Sequence, residues 1–218
     1  MKVKWLGHSA FLLTAADGTR IITDPYVAGS YGNTLCYAPI EESCDAATES
    51  HDHDDHAGAG SLPGKPEVIR GADKHKVKSI AATGFDTAHD DAGGSKRGRN
   101  TVFLFVIDGL KVCHLGDLGE PLPAAVATAI GPVDVLLAPV GGFFTIDATE
   151  ARKVADELHA RITIPMHYKT DKCGFTIDSV EPFIKGRSDV KQAGTSEVEV
   201  TKDTLPDKPE TWVLKHAL

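Results

Sequence analysis

The stretch Ser50-His51-Asp52-His53-Asp54-Asp55-His56-Ala57-Gly58 decides how the rest of the chain is interpreted, because positions 51–56 carry only histidine and aspartate. From an extended loop, His51 and His53 can point their imidazoles the same way, and Asp55 and His56 then present two more ligands as the chain turns. Imidazole with carboxylate suits Zn, Fe, Mn or Ni, and ligands this close indicate two ions. The alternative is a solvated loop that binds metal only adventitiously. Chance placement is a weak explanation at this composition, so the stretch predicts a metal site.

Length and charge restrict the classes of protein that remain. The chain has 218 residues, 23 Lys and Arg against 31 Asp and Glu, and a net charge of −8. This length predicts a single domain over 1–218, and the acidic balance disfavours a general nucleic-acid binder. No apolar run approaches the roughly 18–20 residues of a membrane span. His8 comes too early for a secretory signal and the four cysteines are scattered, so a cytoplasmic protein is expected.

The order of strand and helix signals predicts a mixed α/β layered fold, in which helices cover the faces of β-sheets. Apolar runs flank Asp17-Gly18 and Asp108-Gly109, so a β-hairpin is expected at each. Between the hairpins we expect long loops over 26–67 with a short helix near His56, a strand over 77–83 and a polar loop over 86–100. The second half should contain a helix over 123–130, strands over 133–138 and 161–165, and a capped helix behind Asp147. A further helix and closing strands over 197–201 and 211–215 should complete the chain.

The spacing H-x-H-x-D-H after a strand-rich start resembles the signature of the metallo-β-lactamase superfamily. Four further motifs of the superfamily are matched, one before this signature and three after it. The first is Asp24 before Pro25, and the others are His89, Asp117 after Gly116, and His167. The resemblance implies an αββα four-layer sandwich with a dinuclear metal site. The stretches 6–11 and 141–148 also resemble the small bacterial and archaeal metal-dependent hydrolase branch, which has lactonase-like and phospholipase D-like members.

The resemblance implies seven ligands for two divalent ions, three for each ion and one shared. Zn is the preferred ion, with Mn, Fe and Ni as alternatives. Asp55 and Asp117 would be the catalytic carboxylates, with Asp55 orienting the nucleophile and accepting its proton. The first ion would be held by His51, His53 and His89, the second by Asp55, His56 and His167, and both by Asp117.

Three residues outside the ligand set have expected roles near the site. A ligating histidine usually donates its other N–H to an acceptor, and Asp24 is the candidate for that acceptor. His8 either reaches the site or is structural. Tyr168 either donates a hydrogen bond to a developing oxyanion or packs in the core.

A basic segment follows His89 in a glycine-rich stretch. Lys96, Arg97 and Arg99 stand seven to ten residues beyond it, and arginine suits bidentate recognition of phosphate or carboxylate. The segment predicts contact with an anionic substrate. A solvated basic loop, or a subunit contact in a homo-oligomer, is the alternative.

The function predicted from these motifs is hydrolysis of a small, anionic ester, lactone or phosphodiester by a metal-bound hydroxide. A nucleic-acid phosphodiesterase of the same fold is the first alternative, opposed by the net charge of −8 and an aromatic content of 6%. A di-iron oxidoreductase is the second, and the resemblance weakens it because those relatives carry a carboxylate where this chain has His53. A non-catalytic metal-binding protein remains a third alternative, since ligands do not prove turnover.

Overall fold

A computed structural model describes residues 1–218 as two stacked β-sheets with a few helices. The first sheet has six strands in the spatial order β13-β1-β2-β3-β4-β5. Strands β1, β2 and β3 pair antiparallel, with the hairpin predicted at Asp17-Gly18 joining the last two, whereas β3, β4 and β5 run parallel. These strands are β1 (Lys2–Gly7), β2 (Ala10–Thr14), β3 (Arg20–Thr23), β4 (Ala46–Thr48), β5 (Glu67–Ile69) and β13 (Glu197–Glu199).

The second sheet has eight strands in the order β12-β14-β11-β10-β9-β8-β7-β6. Strands β6 to β9 form an antiparallel meander, which includes the hairpin predicted at Asp108-Gly109, and β9 to β11 run parallel. These strands are β6 (Lys74–Val77), β7 (Ile80–Ala88), β8 (Arg99–Ile107), β9 (Leu110–His114), β10 (Val135–Pro139), β11 (Ile162–Met166), β12 (Val190–Gln192) and β14 (Glu210–Val213).

The helices lie mostly in the second half of the chain. Helix α3 begins at the predicted capping box, in which the Asp147 carboxylate accepts the backbone N–H of Glu150 and the Glu150 side chain accepts that of Asp147. It buries Ala151 and Val154 on the side that meets β10. The helices are α1 (Ser30–Asn33), α2 (Ala124–Ile130), α3 (Ala148–Glu157) and α4 (Glu181–Ile184), with 3₁₀ helices at Ala59–Ser61 and Lys202–Thr204. No helix is long and apolar enough to cross a bilayer.

Both faces of the first sheet are buried, but against different partners. Phe11 and Leu13 of β2 lie in the main core shared by the two sheets, whereas Leu12 between them lies in a second cluster, as the alternation of a strand requires. Tyr26 and Tyr37, from the long segment after β3, close that second cluster. The predicted α/β layers are therefore confirmed, with loops covering the outer face of the first sheet.

Several local predictions are wrong. The segment 26–67, expected as long loops with a short helix, contains strand β4 (Ala46–Thr48). The short helix expected near His56 is a turn followed by the 3₁₀ helix Ala59–Ser61, because Gly58 and Gly60 are poor helix formers. Gly58 also lies against another loop, since a Cβ there would be 2.5 Å from the carbonyl carbon of Tyr26.

The apolar run 77–83 is not one strand, because a turn at Lys78, with φ of 52°, joins β6 to β7. The polar loop expected over 86–100 is shorter than predicted, since β7 continues to Ala88 and β8 begins at Arg99. Polar residues at the ends of this antiparallel pair hid the strand signal. The two closing strands, β13 and β14, are present but shorter than expected, and one lies in each sheet. Strand β12 was not predicted from the sequence.

Candidate metal centre

Each predicted ligand lies just beyond the end of a strand. Residues 51–56 follow β4, His89 follows β7, Asp117 follows β9 and His167 follows β11. Because β3 and β4 run parallel, as do β9, β10 and β11, the loops that leave their carboxyl ends collect on one side, where α/β sheets bind ligands. The fold therefore brings residues from distant parts of the chain to one place.

Apart from Asp117, which forms a third group with His51 and His56, the candidate ligand atoms form two clusters. The first contains His51, His53 and His89, with one nitrogen of each within 4.8 Å of the others. This is the set that the resemblance implies for one ion. The second contains four residues whose ligand atoms also lie within 4.8 Å of one another, namely His8, Asp55, His56 and His167.

Asp117 lies between the two clusters. Its Oδ2 is 3.4 Å from His89 Nε2 and 3.3 Å from His167 Nε2, and its Oδ1 is 3.1 Å from His56 Nε2. Burial alone would raise the pKa of this carboxyl, but the neighbouring His167 and His56 hold it well below its usual range. The side chain is therefore an anion that contacts residues of both clusters.

The donor set fits divalent cations. His51 Nε2 and His56 Nε2 are buried and make no hydrogen bond of acceptable geometry, although an unsatisfied buried polar atom normally costs about 1–3 kcal/mol. Burial also lowers the pKa of His51 to about 3, so its imidazole is neutral, which is the form that binds metal. A cation to which these nitrogens donate their lone pairs would satisfy them.

Asp24, the expected hydrogen-bond acceptor, is fully buried beside the second cluster. Its Oδ2 is 2.8 Å from His56 Nδ1, and its two oxygens accept the backbone N–H and the hydroxyl of Ser50 at 2.8 and 2.6 Å. Ser50 Oγ also lies 3.0 Å from His51 Nδ1. Asp24 thus contacts the candidate ligand His56 directly and the candidate ligand His51 through Ser50. No sequence motif indicated this role of Ser50.

Asp55 has two further partners, of which one was missed. His8 is fully buried, and its Nε2 donates to Asp55 Oδ2 at 3.2 Å. Of the two alternatives for His8, the structure therefore favours contact with the site. Tyr31 donates its hydroxyl to Asp55 Oδ1 at 3.0 Å from a left-handed turn, with φ of 53°. Nothing in the local sequence around Tyr31 pointed to the metal motif.

Asn100 was also missed, and it holds the chain at Asp117. Its Oδ1 accepts the backbone N–H of Asp117 at 2.9 Å, while its Nδ2 donates to Thr87 Oγ1 and to the carbonyl of Leu115, each at 2.9 Å. The residue is fully buried near the start of β8. Because the sequence placed it in a polar loop, it gave no signal of this role.

A cavity of about 450 Å³ opens on the clusters. Arg97 lies in its wall, and the backbone N–H of Arg97 donates to Asp90 Oδ2 at 2.7 Å. The buried Asp90 carboxylate accepts three more backbone N–H groups, from Ala92, Gly94 and Lys96. These four bonds hold the pKa of Asp90 well below its usual range, although burial alone would raise it. They also fix the backbone that carries Arg97. The lining residues are Tyr31, His53, Asp55, His89, Arg97, Asp117, Phe144 and Phe175.

The other residues expected to bind substrate are distributed differently. Arg99 lines an adjoining cavity of about 580 Å³, of which Arg97 and His53 are also part. Lys96 Nζ lies 2.7 Å from Asp91 at the surface, outside both cavities. Tyr168 is buried in the main core, with its ring centroid 5.3 Å from that of Trp5. The packing alternative therefore describes Tyr168, because the residue that follows His167 points away from the cavity.

Comparison with known proteins identifies the family of the chain. Residues 2–167 match the family described as the β-lactamase superfamily domain. A crystal structure of a candidate zinc-dependent hydrolase of the metallo-β-lactamase superfamily, from Thermotoga maritima, has a TM-score of 0.80 and 36% identity, covering 98% of this chain and 97% of that chain. The chain belongs to the metallo-β-lactamase superfamily.

Two curated relatives are similar in sequence over most of their length. A UPF0173 metal-dependent hydrolase of Methanobrevibacter smithii is 30% identical over 202 residues, covering 78% of this chain and 82% of the relative. A UPF0173 metal-dependent hydrolase of Methanosarcina barkeri is 30% identical over 202 residues, covering 78% and 84%. The protein is accordingly a metal-dependent hydrolase of the metallo-β-lactamase superfamily.

Proposed function

We propose that the protein is a dinuclear hydrolase of a small, anionic ester, lactone or phosphodiester. The observation that carries this proposal is the pair of donor clusters on either side of Asp117, which contacts His89 in the first and both His56 and His167 in the second. The nitrogen-rich clusters favour Zn, with Mn, Fe and Ni as alternatives. His51, His53 and His89 would hold one ion. Asp55, His56 and His167 would hold the other, and Asp117 would bridge the two.

The chain's own residues then have defined roles. Bound divalent ions would supply a water acidified from a pKa of about 15.7 to about 7 and would polarise the scissile bond. Burial alone would raise the pKa of Asp55, but its neighbours His56 and His8 hold that pKa well below its usual range. Asp55 is therefore ionised, which is the form in which a carboxylate can orient the attacking water. Tyr31 and His8 hold one oxygen each of this carboxylate in place.

The position of Arg97 supports the proposal that the substrate is anionic. Its guanidinium lies in the cavity wall and makes no hydrogen bond or ion pair within the chain, so its N–H donors are available. A guanidinium binds carboxylate and phosphate in bidentate geometry. A volume of about 450 Å³ suits a small molecule.

Metal stoichiometry tests the dinuclear part of this proposal. Protein purified without chelator and then loaded with Zn, Mn or Fe should contain close to two equivalents per chain by elemental analysis. Saturation at one equivalent would overturn it. Loaded protein should also hydrolyse at least one compound in a panel of lactones, phosphodiesters and thioesters. Full loading without turnover of any compound would favour a non-catalytic metal-binding protein.

Substitution of the basic residues tests the anionic substrate. Arg97→Ala and Arg99→Ala should raise KM or lower kcat/KM by about tenfold or more each, since a charge-assisted hydrogen bond contributes about 1.5–3 kcal/mol. Higher salt should move the wild type toward the variants. Lys96→Ala is the matched control, because Lys96 pairs with Asp91 outside the cavity. A changed elution volume with unchanged kinetics would instead identify a subunit contact.

A further inference from the structure

One side of the cavity is aromatic, a feature that the proposed chemistry does not use. Tyr31, Phe144 and Phe175 all line it, and we refer to these three residues as the aromatic wall. The ring centroid of Phe175 is 5.2 Å from that of Tyr31 and 5.9 Å from that of Phe144, both edge to face. The wall is therefore one continuous apolar surface.

Three separate segments contribute to the wall. Tyr31 lies in α1, Phe144 in the loop after β10, and Phe175 in the loop after β11. The wall shares its cavity with the candidate ligands Asp55, His89 and Asp117. A molecule whose scissile bond lies at the metal centre would thus have its neighbouring substituent against the rings.

Arg97 connects the wall to a positive charge. Its guanidinium carbon lies 5.4 Å from the centroid of Phe144, in cation–π geometry. Stacking on one face of the guanidinium leaves the N–H groups at its edge free to bind an anion. The cavity thus combines an apolar surface and an unpaired cation that touch each other.

The aromatic wall has no free hydrogen-bonding group for a polar substituent. Neither phenylalanine has a hydrogen-bonding group, and the hydroxyl of Tyr31 is already used by Asp55. A sugar or another hydroxyl-rich group placed here would lose its hydrogen bonds to water without replacement. An aryl or alkyl group would instead gain from covering the partly exposed rings.

We propose that the substrate carries an aryl or alkyl group beside its scissile bond, that this group packs on the aromatic wall, and that an anionic group of the same molecule pairs with Arg97. This inference rests on the proposed function, because it assumes that the scissile bond lies at the metal centre. It narrows the substrate class to amphiphilic anions.

The test uses a series of n-alkylphosphonates, from methyl to hexyl, titrated into the metal-loaded protein by isothermal calorimetry. The phosphonate is constant and is not hydrolysed, so the dependence of affinity on chain length reports the apolar contact alone. Burial of each methylene should tighten binding about fourfold until the wall is covered. An affinity that does not change with chain length in the wild type would overturn the proposal, whatever the variants do.

Variants separate the wall from the cation. Phe175→Ala should flatten the chain-length dependence, whereas Arg97→Ala should weaken every phosphonate by a similar factor, of order ten to a hundred, and keep the slope. Val106→Ala is the control, because Val106 is an exposed apolar residue that does not line the cavity. An equal loss of slope in Val106→Ala and Phe175→Ala would contradict the assignment.

Metal analysis and the turnover panel, run on the same samples, separate this inference from the proposed function. Suppose that the affinity rises steeply with chain length in fully loaded protein that hydrolyses no compound of the panel. The aromatic wall would then be an apolar binding surface, and the hydrolase assignment would be wrong. If the protein hydrolyses small polar esters but its affinity for the phosphonates does not depend on chain length, the hydrolase assignment would stand and the proposed role of the aromatic wall would be wrong.

Discussion

Replacing Asp24 with asparagine should weaken metal binding through the tautomer of His56. A carboxylate only accepts hydrogen bonds, so the 2.8 Å contact with Asp24 requires the hydrogen of His56 on Nδ1 and leaves Nε2 free for an ion. An asparagine can place its NH₂ toward His56, which would then accept at Nδ1 and carry its hydrogen on Nε2. That tautomer cannot bind a metal through Nε2.

The substitution keeps the size of the side chain but also changes the contact of Oδ2 with the Ser50 hydroxyl at 2.6 Å, so Ser50→Ala is measured beside it. Asp24 has φ of 39°, a left-handed conformation that asparagine also tolerates. The asparagine carbonyl can still accept the backbone N–H of Ser50, which bonds Oδ1 at 2.8 Å. Loss of an outer partner of a metal-binding histidine typically lowers affinity 10–100-fold, or about 1.4–2.7 kcal/mol. We expect a loss in this range for the ion at His56.

The assay is a competition titration, in which metal-free protein and a chromophoric chelator share added Zn²⁺ and the two binding steps are fitted separately. Ser50→Ala removes the hydroxyl's bonds to both His51 and Asp24. It should weaken mainly the ion at His51, by about fivefold, because the hydrogen bond to that histidine contributes about 1 kcal/mol. Asp54→Asn is the control, since Asp54 is exposed within the same motif. The reasoning is refuted if Asp24→Asn binds both ions within twofold of the wild type, or if Asp54→Asn loses as much affinity.

Two further predictions address the bridging carboxylate and the loop that carries Arg97. Asp117→Ala should bind at most one equivalent of metal, because the removed carboxylate contacts both clusters; two equivalents by elemental analysis would mean that it does not bridge. Asp90→Asn should lower kcat/KM for an anionic substrate by about tenfold, since an amide can accept only part of the four backbone N–H bonds that order the loop. Asp91→Asn should stay within twofold of the wild type, and equal losses in the two variants would show that loop order is not the cause.

Much of the architecture could be predicted from local sequence, because the signals are local. The hairpins at Asp17-Gly18 and Asp108-Gly109 depend on turn residues between apolar runs, and both form. The capping box at Asp147 likewise needs only residues three apart and is present. Local signals failed over 77–83, where an apolar run contains a turn, and near His56, where glycines prevent the expected helix.

The candidate ligands were also visible in the sequence, because each is a histidine or aspartate in a recognisable short motif. Only the tertiary structure decided what surrounds them. His8, Tyr31 and Asn100 reach the site through contacts with residues 47, 24 and 17 positions further along the chain, respectively, and no local pattern encodes such pairs. Tyr168 adjoins a candidate ligand in sequence yet packs in the core. The chemistry of the site thus follows from residue types and spacing, whereas its hydrogen-bond partners and its aromatic wall follow from which loops the two sheets bring together.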